Sequence, residues 1–219
     1  MVKWKKRDYT GTAGAGLPPK KGSGQKMKKI LLVNACVRKE SRTKRLADKL
    51  LEYLGGEAEE IRLEEILFGV SDGHFIEERD RLLAAGEYGH PMFRLARSFA
   101  AADEIVIAAP FWDLSFPATL KQYFEQVNAI GITFRYTESG EPQGLCRARK
   151  LYYVMTAGGP VYSDAYGYGY VKALAQTFYG IPETDLICAE GLDLDGADPE
   201  AILQAAEKEI SCRYDNSLV

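Results

Sequence analysis

Short, mainly apolar runs with a few polar residues recur along this chain, and a segment of helical character follows each of them. Residues 28–36 and 104–109 are two such runs. Continuous hydrophobicity, without alternation, is typical of a strand that is buried on both faces of a parallel sheet. After the first run, Leu46, Leu50 and Leu54 recur at helical spacing. Strands that alternate with helices predict an α/β domain whose parallel sheet is covered by helices on both faces.

Five strands and six helices are predicted along the chain. The strands are expected at residues 28–36, 57–63, 104–109, 150–156 and 185–189, and the helices at 42–54, 77–85, 92–102, 117–127, 164–178 and 198–211. Five strands fit the flavodoxin-like order better than the six of a full dinucleotide-binding fold. We therefore expect a flavodoxin-like, doubly wound five-stranded parallel sheet in a three-layer sandwich.

The first 26 residues differ from the rest in composition. They are rich in glycine and lysine, so they cannot form a core of their own. We expect residues 1–26 to be an N-terminal arm, either flexible or bound to a partner subunit through Trp4 and Tyr9, and residues 27–219 to form the cofactor-binding domain.

Composition and residue counts exclude several classes of function. A net charge of −3 gives no reason to expect nucleic acid as a partner. No apolar run is long enough for a membrane span and the N-terminus lacks a secretory signal, so we expect a cytoplasmic protein without stable membrane association. The four cysteines are far apart and there are only two histidines, so no metal site is predicted. A GxSxG hydrolase motif is absent.

The loop after the first strand has the groups that bind a phosphate. Ligands of an open parallel sheet lie beyond the carboxyl ends of its strands. Residues 34–43 lack the glycine pattern of a dinucleotide- or nucleotide-binding loop. They offer the hydroxyls of Ser41 and Thr43, the guanidinium groups of Arg38 and Arg42, and the free N–H groups of a helix N-terminus. The alternative is an ordinary helix cap at Ser41 with both arginines in solvent.

Two further loops carry aromatic residues and glycines at the same edge of the predicted sheet. Phe111 and Trp112, in the loop after strand three, are placed to cover a flat heterocycle, unless that loop only packs on its own domain. Gly158 and Gly159 follow strand four. They allow a ligand to approach the backbone closely, or they satisfy the angles of a turn.

With these segments in order, the chain resembles the flavodoxin-like NAD(P)H-dependent quinone reductases and FMN-dependent azoreductases. The resemblance spans about residues 28–211 and rests on segments 38–43, 110–117, 120–121, 131–138, 144–145 and 156–159. It implies a homodimer with one FMN per subunit near the interface. It also implies ping-pong two-electron transfer from NADH or NADPH to a small-molecule acceptor, which is quinone-like or an azo or nitro compound.

The resemblance also assigns site residues. The phosphate end would be formed by Cys36, Arg38, Ser41, Arg42 and Thr43, the region along the flavin ring by Pro110, Phe111, Trp112, Asp113 and Leu114, and the pyrimidine side by Thr156, Ala157, Gly158 and Gly159. Phe134 would reach the substrate space. Because the flavin does the chemistry, no side chain is assigned as catalytic, and Tyr162 is only a candidate for a hydrogen bond to the ring.

The sequence departs from the family pattern at three positions. Asp113 stands where azoreductases often have asparagine, Cys36 where they often have a hydroxyl, and Ala157 where they often have arginine. The last departure leaves the choice between NADH and NADPH open.

Three other functions are possible for such a chain. They are a flavodoxin-like electron carrier, a regulatory flavoprotein subunit of a membrane transporter, and a protein without flavin. The extra segment 132–145, which could cover an exposed ring edge, argues against the carrier.

Overall fold

The computed structural model describes residues 27–215. The predicted arm at 1–26, with Trp4 and Tyr9, lies outside the described residues, so its role stays a prediction. None of the helices between residues 27 and 215 combines the length and the apolar character needed to cross a bilayer.

The described chain contains a five-stranded parallel sheet and a separate two-stranded hairpin. The strands are β1 (Lys29–Asn34), β2 (Glu57–Arg62), β3 (Glu104–Ala108), β4 (Phe134–Tyr136), β5 (Pro142–Gly144), β6 (Lys150–Thr156) and β7 (Glu183–Ala189). The parallel sheet has the order β2-β1-β3-β6-β7, and β4 pairs with β5 in antiparallel orientation. The predicted five-stranded, flavodoxin-like sheet is therefore confirmed.

Helices cover both faces of this sheet. They are α1 (Arg42–Leu54), α2 (Gly73–Ala84), α3 (Arg94–Ala101), α4 (Ala118–Val127), α5 (Tyr168–Leu174) and α6 (Pro199–Tyr214). Short 3-10 turns lie at Leu63–Glu65 and Pro91–Phe93, and a π-helical turn at Ala175–Tyr179 extends α5.

The core is divided between the two faces because successive strand side chains point in opposite directions. Leu31 of β1 lies in one cluster with Phe99 of α3 and further residues of α4 and α5. Its neighbour Leu32 lies in the other cluster, with Leu46 of α1 and Leu203 of α6. Full burial of such a side chain contributes roughly 1.5–3 kcal/mol. The apolar central strands thus specify the three-layer arrangement.

Two helices begin four residues away from their predicted starts, each for a local reason. The helix predicted at 77–85 begins earlier, at Gly73, because the Asp72 side chain accepts a hydrogen bond from the Phe75 N–H at 2.9 Å and caps it. The helix predicted at 164–178 begins only at Tyr168, because the Asp164 carbonyl accepts hydrogen bonds from Gly167 and Gly169 in a preceding turn.

Backbone hydrogen bonds extend the sheet beyond the ends of its strands. The Ala35 N–H donates to the Ala108 carbonyl at 2.8 Å, and the Phe111 N–H donates to the Thr156 carbonyl at 3.0 Å. The Ala157 N–H likewise donates to the carbonyl of Ala189 at 2.9 Å. The loops after β1, β3, β6 and β7 therefore leave the same edge of the sheet side by side.

Candidate functional site

A cavity of about 230 Å³ opens at this edge of the sheet. Its lining comes from four separate segments of the chain: Cys36, Val37, Arg38, Glu40, Ser41, Arg42, Thr43, Pro110, Phe111, Trp112, Thr156, Gly158 and Asp193. One part of the lining is formed by hydroxyls and guanidinium groups at the start of α1, and another by the aromatic side chains that follow β3. The cavity therefore offers an anion-binding end and a surface suited to a flat ring.

Side chains at the start of α1 fix the backbone of the first loop. The Ser41 hydroxyl oxygen accepts a hydrogen bond from the Lys44 N–H at 3.2 Å, which makes Ser41 the N-cap. Asn34, at the end of β1, accepts from the Cys36 N–H at 2.9 Å and donates to the Glu60 carboxylate at 2.7 Å. The ordinary helix cap that was one alternative is thus present.

Cys36 lines the cavity as a neutral thiol. Its side chain is buried, and burial raises the pKa of the thiol above its usual value because a thiolate would be desolvated there. A hydrogen bond with Ser41 opposes this rise only in part. Cys36 therefore acts as a small packing residue at neutral pH and is unsuited to nucleophilic chemistry.

An ion pair spans the polar end of the cavity. Nη1 and Nη2 of Arg42 each donate to Oδ1 of Asp193 at 2.9 Å, and Asp193 follows β7 in the sequence. The Asp193 N–H also donates to the Gly158 carbonyl at 2.8 Å. A Cβ added to Gly158 would lie 2.3 Å from Oδ2 of Asp193, so a larger residue at this position would have to displace the carboxylate.

The aromatic loop ends in a tight two-residue turn. Trp112 and Ser115 exchange two backbone hydrogen bonds, of 3.0 and 2.7 Å. The central residues Asp113 and Leu114 have φ angles of 51° and 65°, a left-handed conformation that usually requires asparagine or glycine. Neither of their N–H groups has a hydrogen-bond partner within residues 27–215. The turn therefore leaves two neighbouring donors at the side of the cavity where Trp112 lies.

The loop after β6 is anchored on two sides. The Val161 N–H donates to the Glu190 carboxylate at 2.7 Å, which ties the loop to the end of β7. The Ser115 hydroxyl donates to the Tyr166 carbonyl at 2.6 Å, which ties it to the aromatic turn. Hydrogen bonds therefore connect the loop after β6 to the loop after β3 and to the end of β7.

Most of the site residues predicted from the sequence surround this cavity. These are Cys36, Arg38, Ser41, Arg42, Thr43, Pro110, Phe111, Trp112, Thr156 and Gly158. Their assignment to a cofactor stays a prediction, because the cavity shows only that they lie together. The Thr156 hydroxyl, predicted to lie at the pyrimidine side, is 2.6 Å from the hydroxyl of Thr43, which is predicted to lie at the phosphate end.

Four predicted residues lie outside the lining. The side chains of Asp113 and Leu114 are exposed, and only the backbone of their turn adjoins the cavity residue Trp112. Ala157 is buried and both of its backbone groups are hydrogen-bonded, to Ala189 and Leu192. The Gly159 carbonyl accepts from the N–H of a residue in the loop after β7.

Phe134 and Tyr162 are also placed away from the lining. Phe134 is 6% exposed and packs edge-on against Phe178, with centroids 4.9 Å apart, so its ring is enclosed by its own chain. The exposed aromatic residue of the β4–β5 hairpin is Tyr136. Tyr162 is almost fully exposed on the loop after β6. Their parts in substrate or flavin contacts stay predictions.

Three lining residues were not predicted: Val37, Glu40 and Asp193. Val37 and Glu40 lie between predicted residues of the first loop. Asp193 follows β7, and the signal that could have found it is the parallel order of the strands, which brings the loop after β7 to the same edge. Among residues 27–215, no cluster of three or more histidine, cysteine or acidic side chains could hold a metal ion.

Comparison with known proteins gives consistent matches. A family model described as a flavodoxin-like fold matches residues 28–213. FMN-dependent NADH:quinone oxidoreductase 2 from Clostridium acetobutylicum is 36% identical over 192 residues, which cover 81% of this chain and 94% of the relative. FMN-dependent NADH:quinone oxidoreductase from Coprothermobacter proteolyticus is 35% identical over 196 residues, covering 84% and 96%.

Solved structures share the fold at lower identity. The azoreductase from Bacillus anthracis strain Sterne superposes with a TM-score of 0.72 at 21% identity, over 86% of this chain and 99% of the other. An FMN-dependent NADH-azoreductase from Bacillus anthracis strain Ames Ancestor, solved in complex with FMN, gives a TM-score of 0.70 at 23% identity, over 87% and 99%. These two structures support the architecture.

Proposed function

This chain belongs to the family with the flavodoxin-like fold, and from that membership we propose that it is an FMN-dependent NADH:quinone oxidoreductase. Two relatives of at least 35% identity have that name, and each is matched over more than nine-tenths of its length. The structural observation that carries the proposal is the cavity, which joins an anion-binding helix N-terminus to an aromatic surface. The resemblance drawn from the sequence is confirmed at the level of family and fold.

The residues present fit FMN. The hydroxyls of Ser41 and Thr43, with Arg38, Arg42 and the first N–H groups of α1, would hold the phosphate. Phe111 and Trp112 would support the ring through their apolar surfaces, and the free N–H groups of the aromatic turn would donate to its polar edge. When bound, FMN supplies two-electron redox chemistry between a nicotinamide and an organic acceptor.

The chain's own task in this reaction is to bind and orient. Burial keeps the Cys36 thiol protonated, so it does not act as a base. Arg38 and Arg42 serve as hydrogen-bond donors and positive charges. We therefore assign no obligatory acid or base to the lining. NADH and the quinone would use the same open face beside Trp112 in turn, so the kinetics would be ping-pong.

We also propose that the active form is a homodimer. At about 230 Å³ the cavity is smaller than the roughly 300–1,000 Å³ of a complete small-molecule site, so a flavin ring would extend beyond it. Trp112, Leu114 and Tyr166 are exposed around the aromatic turn. Large apolar side chains grouped at an open site are typical of an interface, and a second subunit would complete the enclosure.

A triple variant tests where the phosphate binds. Replacing Ser41, Arg42 and Thr43 by alanine removes two hydroxyls and one cation from the polar end, so FMN should be released from a protein that remains folded. Lys49→Ala on the same helix is the control, because Lys49 pairs with Glu52 away from the cavity. FMN content is measured after gel filtration, and circular dichroism checks the fold. Equal FMN content in the triple variant and the control would reject the proposed phosphate site.

A further inference from the structure

A buried pair of hydroxyls joins α1 to the end of β6. Thr43 is 1% exposed and Thr156 is 8% exposed, and their Oγ1 atoms are 2.6 Å apart. Both residues line the cavity, although 113 positions separate them in the sequence. The contact therefore connects the first turn of α1 to the loop that begins at the carboxyl end of β6.

The two hydroxyls have one proton more than their mutual hydrogen bond uses. Each hydroxyl can donate one hydrogen bond and accept two. Within residues 27–215, neither hydroxyl has any other hydrogen-bond partner. One proton is therefore left over, on a nearly buried oxygen at the wall of the cavity. A buried donor without an acceptor is costly, so this arrangement suits a ligand that brings an acceptor oxygen.

The surroundings decide which hydroxyl faces the ligand. Thr43 lies in the first turn of α1, beside the N-terminal N–H groups that favour an anion. Arg42 has both terminal nitrogens engaged by Asp193, and Glu40 adds a second carboxylate to the lining. Since these carboxylates offset the charge of the arginines, neutral donors such as hydroxyls must contribute much of the binding of a phosphate.

We propose that Thr156 is a positioning residue for the phosphate: its hydroxyl donates to Oγ1 of Thr43, which directs the Thr43 proton toward a phosphate monoester in the cavity. The proposal rests on the proposed function, because that monoester is the phosphate of FMN. Accepting a hydrogen bond from Thr156 makes the Thr43 hydroxyl a stronger donor, since hydrogen bonds in a chain polarise one another. Thr156 would thus act at the phosphate end, whereas the family resemblance implies the pyrimidine side of the ring.

Thr156→Val is a clean probe of this role. Valine has nearly the same shape but no hydroxyl, and the hydrogen bond between the Thr156 carbonyl and the Phe111 N–H is made by the backbone. Thr156→Ser keeps the hydroxyl. Thr133→Val is the matched control, because Thr133 is fully buried and its hydroxyl donates to the Val127 carbonyl at 2.8 Å, outside the cavity lining.

The experiment titrates the apoprotein of each variant with FMN and with riboflavin, which lacks the phosphate, and follows quenching of flavin fluorescence. Thr156→Val should weaken FMN binding by up to about tenfold, the most expected when one hydrogen bond to a charged acceptor is no longer directed by its neighbour, and change riboflavin binding by less than about twofold. Thr156→Ser should restore FMN affinity. In a Thr43→Val background, Thr156→Val should have little further effect, because the donor it positions is gone.

Several results would overturn the inference. Equal loss of FMN and riboflavin affinity in Thr156→Val would place the residue at the ring. Unchanged FMN affinity would mean that it positions nothing, and an equal loss in Thr133→Val would point to general loosening of the fold. A wild-type protein that binds neither flavin would overturn the proposed function together with this inference. If wild type binds FMN but Thr156→Val does not weaken FMN binding more than riboflavin binding, only the inference is overturned.

Discussion

Two adjacent residues in the aromatic turn have backbone angles that their side chains do not favour. Asp113 and Leu114 are the only non-glycine residues between 27 and 215 with positive φ. Aspartate tolerates this conformation because its short polar side chain can bond locally, whereas for leucine it costs roughly 1–2 kcal/mol. Strain of this kind is characteristic of functional sites. Here it belongs to the turn whose N–H groups are proposed to contact the flavin.

The strain at Leu114 can be measured by replacement with glycine. Leu114→Gly should stabilise the protein by about 1 kcal/mol, because glycine adopts positive φ without penalty and this exposed side chain loses little burial. Leu194→Gly is the control: Leu194 is equally exposed, at 52%, but does not have positive φ, so this change should destabilise. Urea unfolding midpoints compare the two. Equal destabilisation by both variants would mean that Leu114 is not strained.

Single residues also show how far the sequence alone can predict the site. The hydroxyls and arginines of the first loop could be predicted because they lie within a few positions of one another. The Arg42–Asp193 pair could not, since its members are 151 positions apart and no motif connects them. From the sequence, glycine at position 158 was explained by the close approach of a ligand or by the backbone angles of a turn. The structure adds a third reason, since the Asp193 carboxylate packs against Gly158.

Among the elements, α1 is the one whose position matters most to the site, and a salt-bridge cluster holds it against α6. Nε of Arg45 donates to Glu207 at 2.7 Å, and its Nη1 donates to Glu200 at 2.7 Å. These contacts join the helix at the proposed phosphate end to the last helix of the domain. Hydrogen bonds from Arg45, and then from Gln204, lower the pKa of Glu200 from 4.5 to about 2.

This shift predicts a specific dependence of stability on pH. Because the pKa of Glu200 is lower in the folded state, its contribution is complete above pH 4.5 and is lost as the pH falls toward about 2. Wild type should therefore have a higher melting temperature than Glu200→Gln at neutral pH, and this difference should narrow as the pH falls from about 4.5 toward about 2. In an Arg45→Met background, Glu200→Gln should change the melting temperature only slightly at any pH. A difference between wild type and Glu200→Gln that is independent of pH would show that Glu200 does not stabilise α1 through its charge.

Among the secondary-structure elements, the strands of the parallel sheet are predicted from the sequence better than the segments that connect them. The central strands are predicted well because a short, continuous apolar run between turn residues is typical of a strand buried on both faces. The β4–β5 hairpin lies in segment 132–145, which the sequence identified only as an extra segment. Its position depends on a contact between distant backbones. A Cβ on Gly144 would lie 2.1 Å from the Gly180 nitrogen, at the end of the π-helical turn. Such close approach leaves no periodic signal in a sequence.

At the scale of the whole molecule, the main prediction is the proposed homodimer. Sedimentation at micromolar concentration should give twice the chain mass of 24.3 kDa. Tyr166→Glu places a charge beside the aromatic turn and should shift the protein toward monomer, because a buried unpaired charge opposes association. Leu194→Glu, also at an exposed position but beyond β7, should leave the mass unchanged. A monomeric wild type with full quinone reductase activity would contradict the proposal.

The proposed function depends most on FMN bound in the cavity and on its reduction by NADH. The direct measurement is the visible spectrum of the purified protein, followed anaerobically during addition of NADH and then of a quinone. We expect flavin absorbance at close to one FMN per chain, bleaching on addition of NADH, and return of the absorbance when the quinone is added. A colourless protein that does not take up added FMN, or bound flavin that NADH fails to bleach, would contradict the proposed function.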